Sequence, residues 1–116
     1  MEKKVLCPGC MRIINKISIC AYCGYDLKNI QIKSYQLKPY TILGEQQKRY
    51  IVGKVVGEGA FGITYVALDK KLEMKVAIKE FYPEQYCIRG QDGKAVTVSD
   101  ERLQARFKKG LQQFLE

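Results

Sequence analysis

Runs of β-branched and aromatic residues, each bounded by glycine or by charged residues, fill much of the chain beyond residue 49. Runs of this length and composition are typical of β-strands. The pattern predicts three main strands, at residues 50–56, 63–69 and 74–82, and two shorter ones, at residues 40–43 and 96–98. The pair Asp92-Gly93, just before the last of these strands, is a hairpin signal.

The end of the chain carries an amphipathic pattern that predicts a helix. Ser99 supplies a cap, and apolar residues then recur at helical spacing, at Leu103, Phe107, Leu111 and Phe114. No Gly, Asn or Pro follows to end the helix. We therefore expect the chain to stop inside this element.

The composition is that of one modest globular domain, or of a smaller domain with an appended module. The chain has 116 residues, of which 47% are hydrophobic and 28% are charged. Charged residues interrupt the longest apolar stretches, so the sequence predicts neither a membrane span nor a signal peptide. We expect a soluble, cytoplasmic protein that is too short to be a full-sized enzyme.

The charge is strongly basic at the beginning of the chain. Lys and Arg number 20 against 12 Asp and Glu, and residues 1–49 hold nine basic and three acidic residues. Such a surplus attracts nucleic acid or anionic partners, but lysine-rich solvated surfaces are more common than nucleic-acid sites, and we expect no nucleic-acid partner. The chain has no His, which excludes imidazole catalysis and His ligands for a metal.

Four of the five cysteines form two close pairs. Cys7 and Cys10 are separated by two residues, as are Cys20 and Cys23, and nine residues lie between the pairs. Four thiolates in this spacing suit the tetrahedral preference of Zn²⁺ and predict a closed, structural site. The alternatives are two disulfides in a secreted scaffold, or iron or redox use. The fifth, Cys87, is expected to be a small, semi-buried hydrophobic residue.

The segment around the cysteines resembles a minimal zinc ribbon, assigned to residues 1–28. About 25 residues cannot bury a sufficient core, so metal binding is expected to fold it. A short hairpin is predicted within residues 11–19. Gly24 follows the second cysteine pair, whereas Met11 stands in the matching place after the first, where ribbons often have Gly. Residues 29–49 are predicted to be a linker.

A glycine-rich motif follows the first main strand. The six residues match G-x-G-x-x-G and are Gly57, Glu58, Gly59, Ala60, Phe61 and Gly62. In a dinucleotide-binding fold a helix would begin at the last glycine. Here a β-rich run follows, which predicts a strand-loop-strand hairpin that folds over phosphates. The alternative is an ordinary glycine-rich hairpin.

The next predicted strand carries a candidate phosphate-binding lysine. Residues 76–79 read V-A-I-K, in which Lys79 would meet the α- and β-phosphates and Ala77 would leave room for an adenine ring. A single lysine between apolar residues is ordinarily a surface residue whose stem covers apolar neighbours. The glycine motif on the adjacent strand favours the phosphate-binding interpretation.

Together these motifs resemble the N-terminal lobe of bacterial serine/threonine kinases of the eukaryotic type. The resemblance covers residues 37–116 and includes FGITY at 61–65, IKEFYP at 78–83 and FKKGLQQFL at 107–115. It implies an ATP site that also includes Val56 and Thr64, with Thr64 standing where the family motif has Val. Members of this group can carry an N-terminal zinc ribbon. The Glu that helix C of a kinase brings to the lysine would follow Glu116, which is the only local substitute.

The predicted fold is α+β, a small zinc ribbon followed at residues 50–116 by an incomplete kinase N-lobe with an antiparallel sheet and helix C. His-Arg-Asp, Asp-Phe-Gly and Ala-Pro-Glu motifs are absent from the 116 residues. We therefore expect the C-lobe to be missing and this chain alone to be inactive. In the complete enzyme ATP, Mg²⁺ and a protein substrate would be the partners. The alternative is a noncatalytic zinc-ribbon protein that binds a protein or nucleic acid. The uncovered face of the sheet also predicts self-association.

Overall fold

A computed structural model describes residues 4–15, 18–44, 48–83, 87–98 and 103–115. These residues form three antiparallel sheets and one helix. The strands and the helix are, in chain order, β1 (Lys4–Leu6), β2 (Ile13–Asn15), β3 (Ile42–Leu43), β4 (Tyr50–Gly59), β5 (Gly62–Asp69), β6 (Met74–Phe81), β7 (Cys87–Arg89), β8 (Val96–Val98) and α1 (Gln104–Leu115).

The first hairpin encloses the first cysteine pair. Strand β1 pairs with β2, so that Val5 lies opposite Ile14. Within the turn, the N–H of Cys7 donates to the carbonyl of Arg12 at 2.8 Å. The predicted hairpin within residues 11–19 is therefore wrong, because the chain reverses at the cysteine turn and pairs with the strand before it. Residues 16 and 17 lie outside the described residues.

The central sheet has four strands in the order β3-β4-β5-β6, each antiparallel to its neighbour. The three main strands lie where the sequence pattern predicts them. Strand β4 is longer than predicted, since it continues to Gly59, which pairs with Gly62 of β5. The glycine motif is therefore itself a hairpin, as predicted, closed by a two-residue turn at Ala60 and Phe61.

The main core covers one face of this sheet. Tyr65 and Ile63, on β5, are almost completely buried. Strand alternation brings Val52 and Ile63 to this face, and residues from outside the sheet complete the cluster. The buried members are Leu37, Val52, Ile63, Tyr65, Tyr82 and Cys87. Burial of each large side chain stabilises the folded state by about 1.5–3 kcal/mol relative to exposure. The cluster on this face is therefore a major source of the stability of the sheet.

The last part of the chain adds a small hairpin and the helix. Strand β8 was predicted, whereas its partner β7 was not, because three residues give a weak pattern. The helix packs through Phe107, whose ring forms an edge-to-face contact with the ring of Phe81, with centroids 5.1 Å apart. The predicted cap at Ser99 and the side chain of Phe114 lie outside the described residues.

The cysteine segment packs on the other face of the central sheet. The carbonyl of Pro8 accepts a hydrogen bond from the N–H of Lys54 at 2.9 Å, and the hydroxyl of Tyr40 donates to the carbonyl of Leu6 at 2.7 Å. A register shift in β4 sets Gly53 and Lys54 against Val66 of β5. Val66 is only 7% exposed, although alternation turns it away from the main core.

Candidate functional site

The strand register brings the predicted phosphate-binding residues into one row. Gly57 pairs with Thr64, and Thr64 pairs in turn with Lys79. Directly paired residues of antiparallel strands project to the same face of a sheet. Thr64 and Lys79 therefore share the face opposite the main core, and Lys79 is exposed there.

The predicted adenine-binding residues lie beside this row. Ala77 is paired with Val66 and follows the same alternation as Lys79, so it projects to the same face. Val56 stands at the second register shift of β4 and is 56% exposed. The structure thus leaves Ala77 accessible on the face that carries Lys79, and Val56 accessible at the register shift nearby.

The glycine hairpin is open on this side. A Cβ atom built at Gly59 would meet nothing within 4 Å. The N–H of Tyr82 donates to the carbonyl of Phe61, at the tip of the hairpin, at 2.9 Å. The Phe61 side chain is 61% exposed, and Ala60 beside it is also exposed. The hairpin therefore presents its backbone, which is what a phosphate-covering loop requires.

Glu58 differs from the other predicted site residues. It pairs with Ile63, a residue of the main core, so its side chain lies on the face opposite Lys79. There its carboxylate accepts hydrogen bonds from Tyr35 and, at 3.5 Å, from Gln36. The hydrogen bond from Tyr35 holds the pKa of Glu58 below its usual range. Only the backbone of Glu58 remains available on the open side.

Carboxylates are scarce on the open face. Of the acidic side chains on the three long strands, Glu58 and Glu80 lie on the core face, and so does Asp69, which is bound by Arg49. Among the described residues, Lys79 has no ion pair. Glu116, its expected local substitute partner, lies outside the described residues. The open face thus supplies a cation but no evident ligand for Mg²⁺ on these strands.

The four paired cysteines converge on one point. Their sulfur atoms all lie within 4.8 Å of one another. The Sγ atoms of Cys7 and Cys23 are 3.6 Å apart, and those of Cys10 and Cys20 are 3.9 Å apart. A tetrahedron with metal–sulfur bonds of ~2.3 Å has edges of about 3.8 Å, so the donor set fits one Zn²⁺.

Both cysteine turns use the same hydrogen bonds. In the first, the N–H of Met11 donates to the carbonyl of Cys7 at 2.8 Å, and in the second, that of Gly24 donates to Cys20 at 2.9 Å. Met11 and Gly24 both have positive φ, of 64° and 79°. Met11 thus adopts the conformation for which Gly would be the ordinary choice. The Met11 side chain is buried against Gly53. Met11, which stands where ribbons often have Gly, therefore contributes to packing against the sheet.

The thiols have unequal electrostatic surroundings. Burial raises the pKa of Cys7 to about 12. Burial also acts on Cys20, but the backbone N–H groups of Cys23 and Tyr22 and the neighbouring thiols outweigh it and lower its pKa to about 6. Backbone N–H groups directed at sulfur favour the thiolate, which is the form that binds a metal.

Cys87 lies apart from this cluster. It is 4% exposed, and its thiol donates to the carbonyl of Pro83 at 3.1 Å. Cys87 is thus more deeply buried than the semi-buried position expected from the sequence, because it belongs to the main core. It is the natural comparison residue for the four clustered thiols.

The sequence patterns did not predict the residues that support the site from the core face of the sheet. These include Tyr35 and Gln36 in the predicted linker, and Arg89 on β7, whose side chain is 6% exposed and pairs with Glu80 at 2.6 Å. No motif marks them. The alternation of β6 did contain one signal, because it places a charged Glu80 on the buried face and so requires a partner there.

A solved structure with a similar fold is the apo form of PpkA-294, a bacterial serine/threonine kinase. The two chains are 32% identical, with a TM-score of 0.64, over 71% of this chain and 27% of that one. This chain thus spans about a quarter of the length of its structural neighbour. Antiparallel sheets with one short helix are compatible with a kinase N-lobe.

No family model matches the chain. In the described ranges, no helix is long and apolar enough to cross a membrane.

Proposed function

We propose that this chain is the ATP-binding N-terminal portion of a serine/threonine protein kinase, joined to a structural zinc ribbon. The observation that carries the proposal is the row formed by Gly57, Thr64 and Lys79, which lies on an open sheet face beside Ala77. The likeness to PpkA-294 supports the same assignment.

The geometry suits a nucleotide that lies along this face. The adenine ring would lie against Val56 and Ala77, with Thr64 beside them. The backbone of the hairpin from Gly57 to Gly62 would cover the phosphates, and the ammonium group of Lys79 would neutralise part of their charge. Phosphoryl transfer depends almost entirely on such positioning and electrostatics.

Phosphoryl transfer also requires groups that the strands β4, β5 and β6 do not supply. A catalytic base and carboxylates for Mg²⁺ would face the nucleotide from a second lobe and transfer the γ-phosphoryl group to a protein hydroxyl. Residues 50–116 would then contribute one wall of the cleft. We accordingly expect weak ATP binding by the chain alone, and no phosphoryl transfer.

A titration with ATP, followed by amide chemical shifts, tests the proposal. Shifts are expected to cluster on the glycine hairpin and around Ala77 and Lys79. Lys79→Ala should weaken binding roughly 10–150-fold, because a charge-assisted contact to phosphate is worth about 1.5–3 kcal/mol. Lys75→Ala is the matched control, since Lys75 is exposed and its alternation gives it the same face of the same strand.

Equal loss of binding in the two lysine variants would show only general charge attraction and would contradict the assignment. Kinase activity of the 116-residue chain that Lys79→Ala abolishes would show that the chain is more complete than we propose.

The metal part of the proposal rests on the cysteine cluster. Cys7, Cys10, Cys20 and Cys23 would all ligate one Zn²⁺, which would leave no open position for a substrate. The ion would have a structural role, because residues 4–15 and 18–28 contain only short strands and a small core around Cys7, Ile14 and Cys20. Residues 29–49 would join this ribbon to the lobe and, through Leu37 and β3, would also add to the core and the sheet of that lobe.

A further inference from the structure

The turn formed by residues 33–37 holds the outer side of the glycine hairpin. The Tyr35 hydroxyl donates to one carboxylate oxygen of Glu58. The Lys33 ammonium lies 3.2 Å from the other oxygen, and the Gln36 amide donates to that same oxygen at 3.5 Å. Three donors thus fix one carboxylate of the motif proposed to cover phosphates.

The turn is itself fixed to the core. The Tyr35 ring stacks on Tyr82, with centroids 5.6 Å apart and planes inclined by 12°. The carbonyl of Tyr35 accepts from Arg89 Nε at 2.8 Å, and the N–H of the buried Leu37 donates to the Tyr65 hydroxyl at 3.0 Å. The turn is therefore a fixed support for the hairpin.

The same network reaches the strand of Lys79. The Tyr65 hydroxyl donates to Glu80 at 3.0 Å, and Arg89 forms two hydrogen bonds of 2.6 Å with that carboxylate. Glu80 directly follows Lys79 and projects to the opposite face. Both proposed phosphate-binding elements, the hairpin and Lys79, are thus backed by one hydrogen-bonded network that meets at the 33–37 turn.

We propose that the 33–37 turn is a positioning element for the triphosphate, which acts through Glu58 to set the distance between the glycine hairpin and Lys79. This inference rests on the proposed nucleotide function and deepens it. Tyr35 and Glu58 are positioning residues, because their side chains lie on the face away from the nucleotide. Changes in the turn should therefore alter the binding of the phosphates and leave the adenine contacts at Val56 and Ala77 unchanged.

Tyr35→Phe tests the proposal, because it removes the hydroxyl and keeps the ring that stacks on Tyr82. A hydrogen bond of this kind contributes about two- to tenfold in an equilibrium constant. We expect ATP affinity to fall by roughly 2–10-fold while adenosine affinity stays unchanged. Tyr40→Phe is the matched control, since its hydroxyl bonds to Leu6 at the ribbon joint and not to the hairpin. It should leave both affinities unchanged.

Glu58→Gln separates positioning from simple charge. If only charge matters, loss of a carboxylate near the phosphates strengthens ATP binding. If Glu58 holds the hairpin in place, ATP binding weakens, and the effects of Glu58→Gln and Tyr35→Phe are not additive, because both remove the same contact. Stronger ATP binding by Glu58→Gln overturns the proposal.

Amide hydrogen exchange gives a readout that needs no nucleotide. Tyr35→Phe should speed exchange at residues 57–63 and leave the β5–β6 pairs around Ala67 unchanged. Unchanged exchange, or faster exchange with an unchanged ratio of ATP to adenosine affinity, overturns the positioning role. If the wild-type chain does not bind ATP, or if Lys79→Ala binds as well as wild type, the proposed nucleotide function itself fails, and this inference fails with it.

Discussion

Gly53 lies so close to Pro8 that a Cβ atom at position 53 would come within 2.2 Å of the Pro8 carbonyl oxygen. The same atom would come within 2.3 Å of the Met11 methyl carbon. The contact joins the cysteine segment to the strand that leads into the glycine hairpin. Glycine at position 53 is thus a requirement of packing between two parts of the chain.

Gly53→Ala is expected to separate the cysteine segment from the sheet. The backbone of one partner must shift, and overpacking of this kind costs about 1–3 kcal/mol. Denaturant unfolding measures the loss in stability, and hydrogen exchange at Lys54, which donates to Pro8, reports on the joint. Gly59→Ala is the control, since a Cβ atom there meets nothing. Equal stability of the Gly53→Ala variant and the wild type would contradict this account.

The purified chain is expected to contain one Zn²⁺, and a chelator should unfold residues 1–28, because the described part of this segment has only two short strands and a small core built around the cysteines. Elemental analysis and circular dichroism give the two readouts. Cys20→Ser should lose the metal, whereas Cys87→Ser should keep it, although both thiols are buried. Protein purified without chelator that contains no zinc, or that has the mass of two disulfides, would refute the metal site.

The ion pair between Asp69 and Arg49 predicts a specific response to acid. The hydrogen bond from Arg49 lowers the pKa of Asp69 to about 2, from an ordinary value of 3.8. A carboxylate with a lowered pKa in the folded state stabilises it fully above pH 3.8, and this contribution disappears as the pH falls toward 2.

Asp69→Asn should therefore reduce the free energy of unfolding at neutral pH, and its difference from wild type should shrink as the pH falls from about 4 to about 2. Urea unfolding of both proteins across this pH range measures the difference in their free energies of unfolding. If acid releases a bound metal, it does so from both proteins, and the effect cancels in the difference. A difference that stays constant with pH would show that the ionised carboxylate contributes nothing.

The open face of the sheet predicts self-association. The cysteine segment covers the part around Gly53, but Ala77 and Lys79 stay exposed on this face, and Val56 at the register shift of β4 and Phe61 at the tip of the glycine hairpin are 56% and 61% exposed. Exposed apolar surface, when it forms a contiguous patch, often marks a protein interface or a site of aggregation. Sedimentation at increasing concentration should show dimers or larger species, which Phe61→Ser should weaken. Ile13→Ser is the control, because Ile13 is equally exposed but lies on the cysteine segment. A monomer at high concentration would contradict the prediction.

Local patterns in the sequence determined most of the elements. The strands β4, β5 and β6, the hairpin at the glycine motif and the helix were predicted because alternation, glycines and helical spacing act within a few residues. The two cysteine pairs indicated a shared ligand set for the same reason, since each pair is one tight turn. The motif around Lys79 was equally local.

Only the tertiary structure decided which of these elements meet. Tyr35 reaches Glu58 across 23 positions of sequence, and Pro8 lies against Gly53 across still more. Such contacts depend on strand register and on which face each residue takes, and a change of one residue in register reverses the face. The sequence therefore predicted the residues of the proposed phosphate site, while the packing of distant segments determined which residues support these positions and which cover the rest of the face.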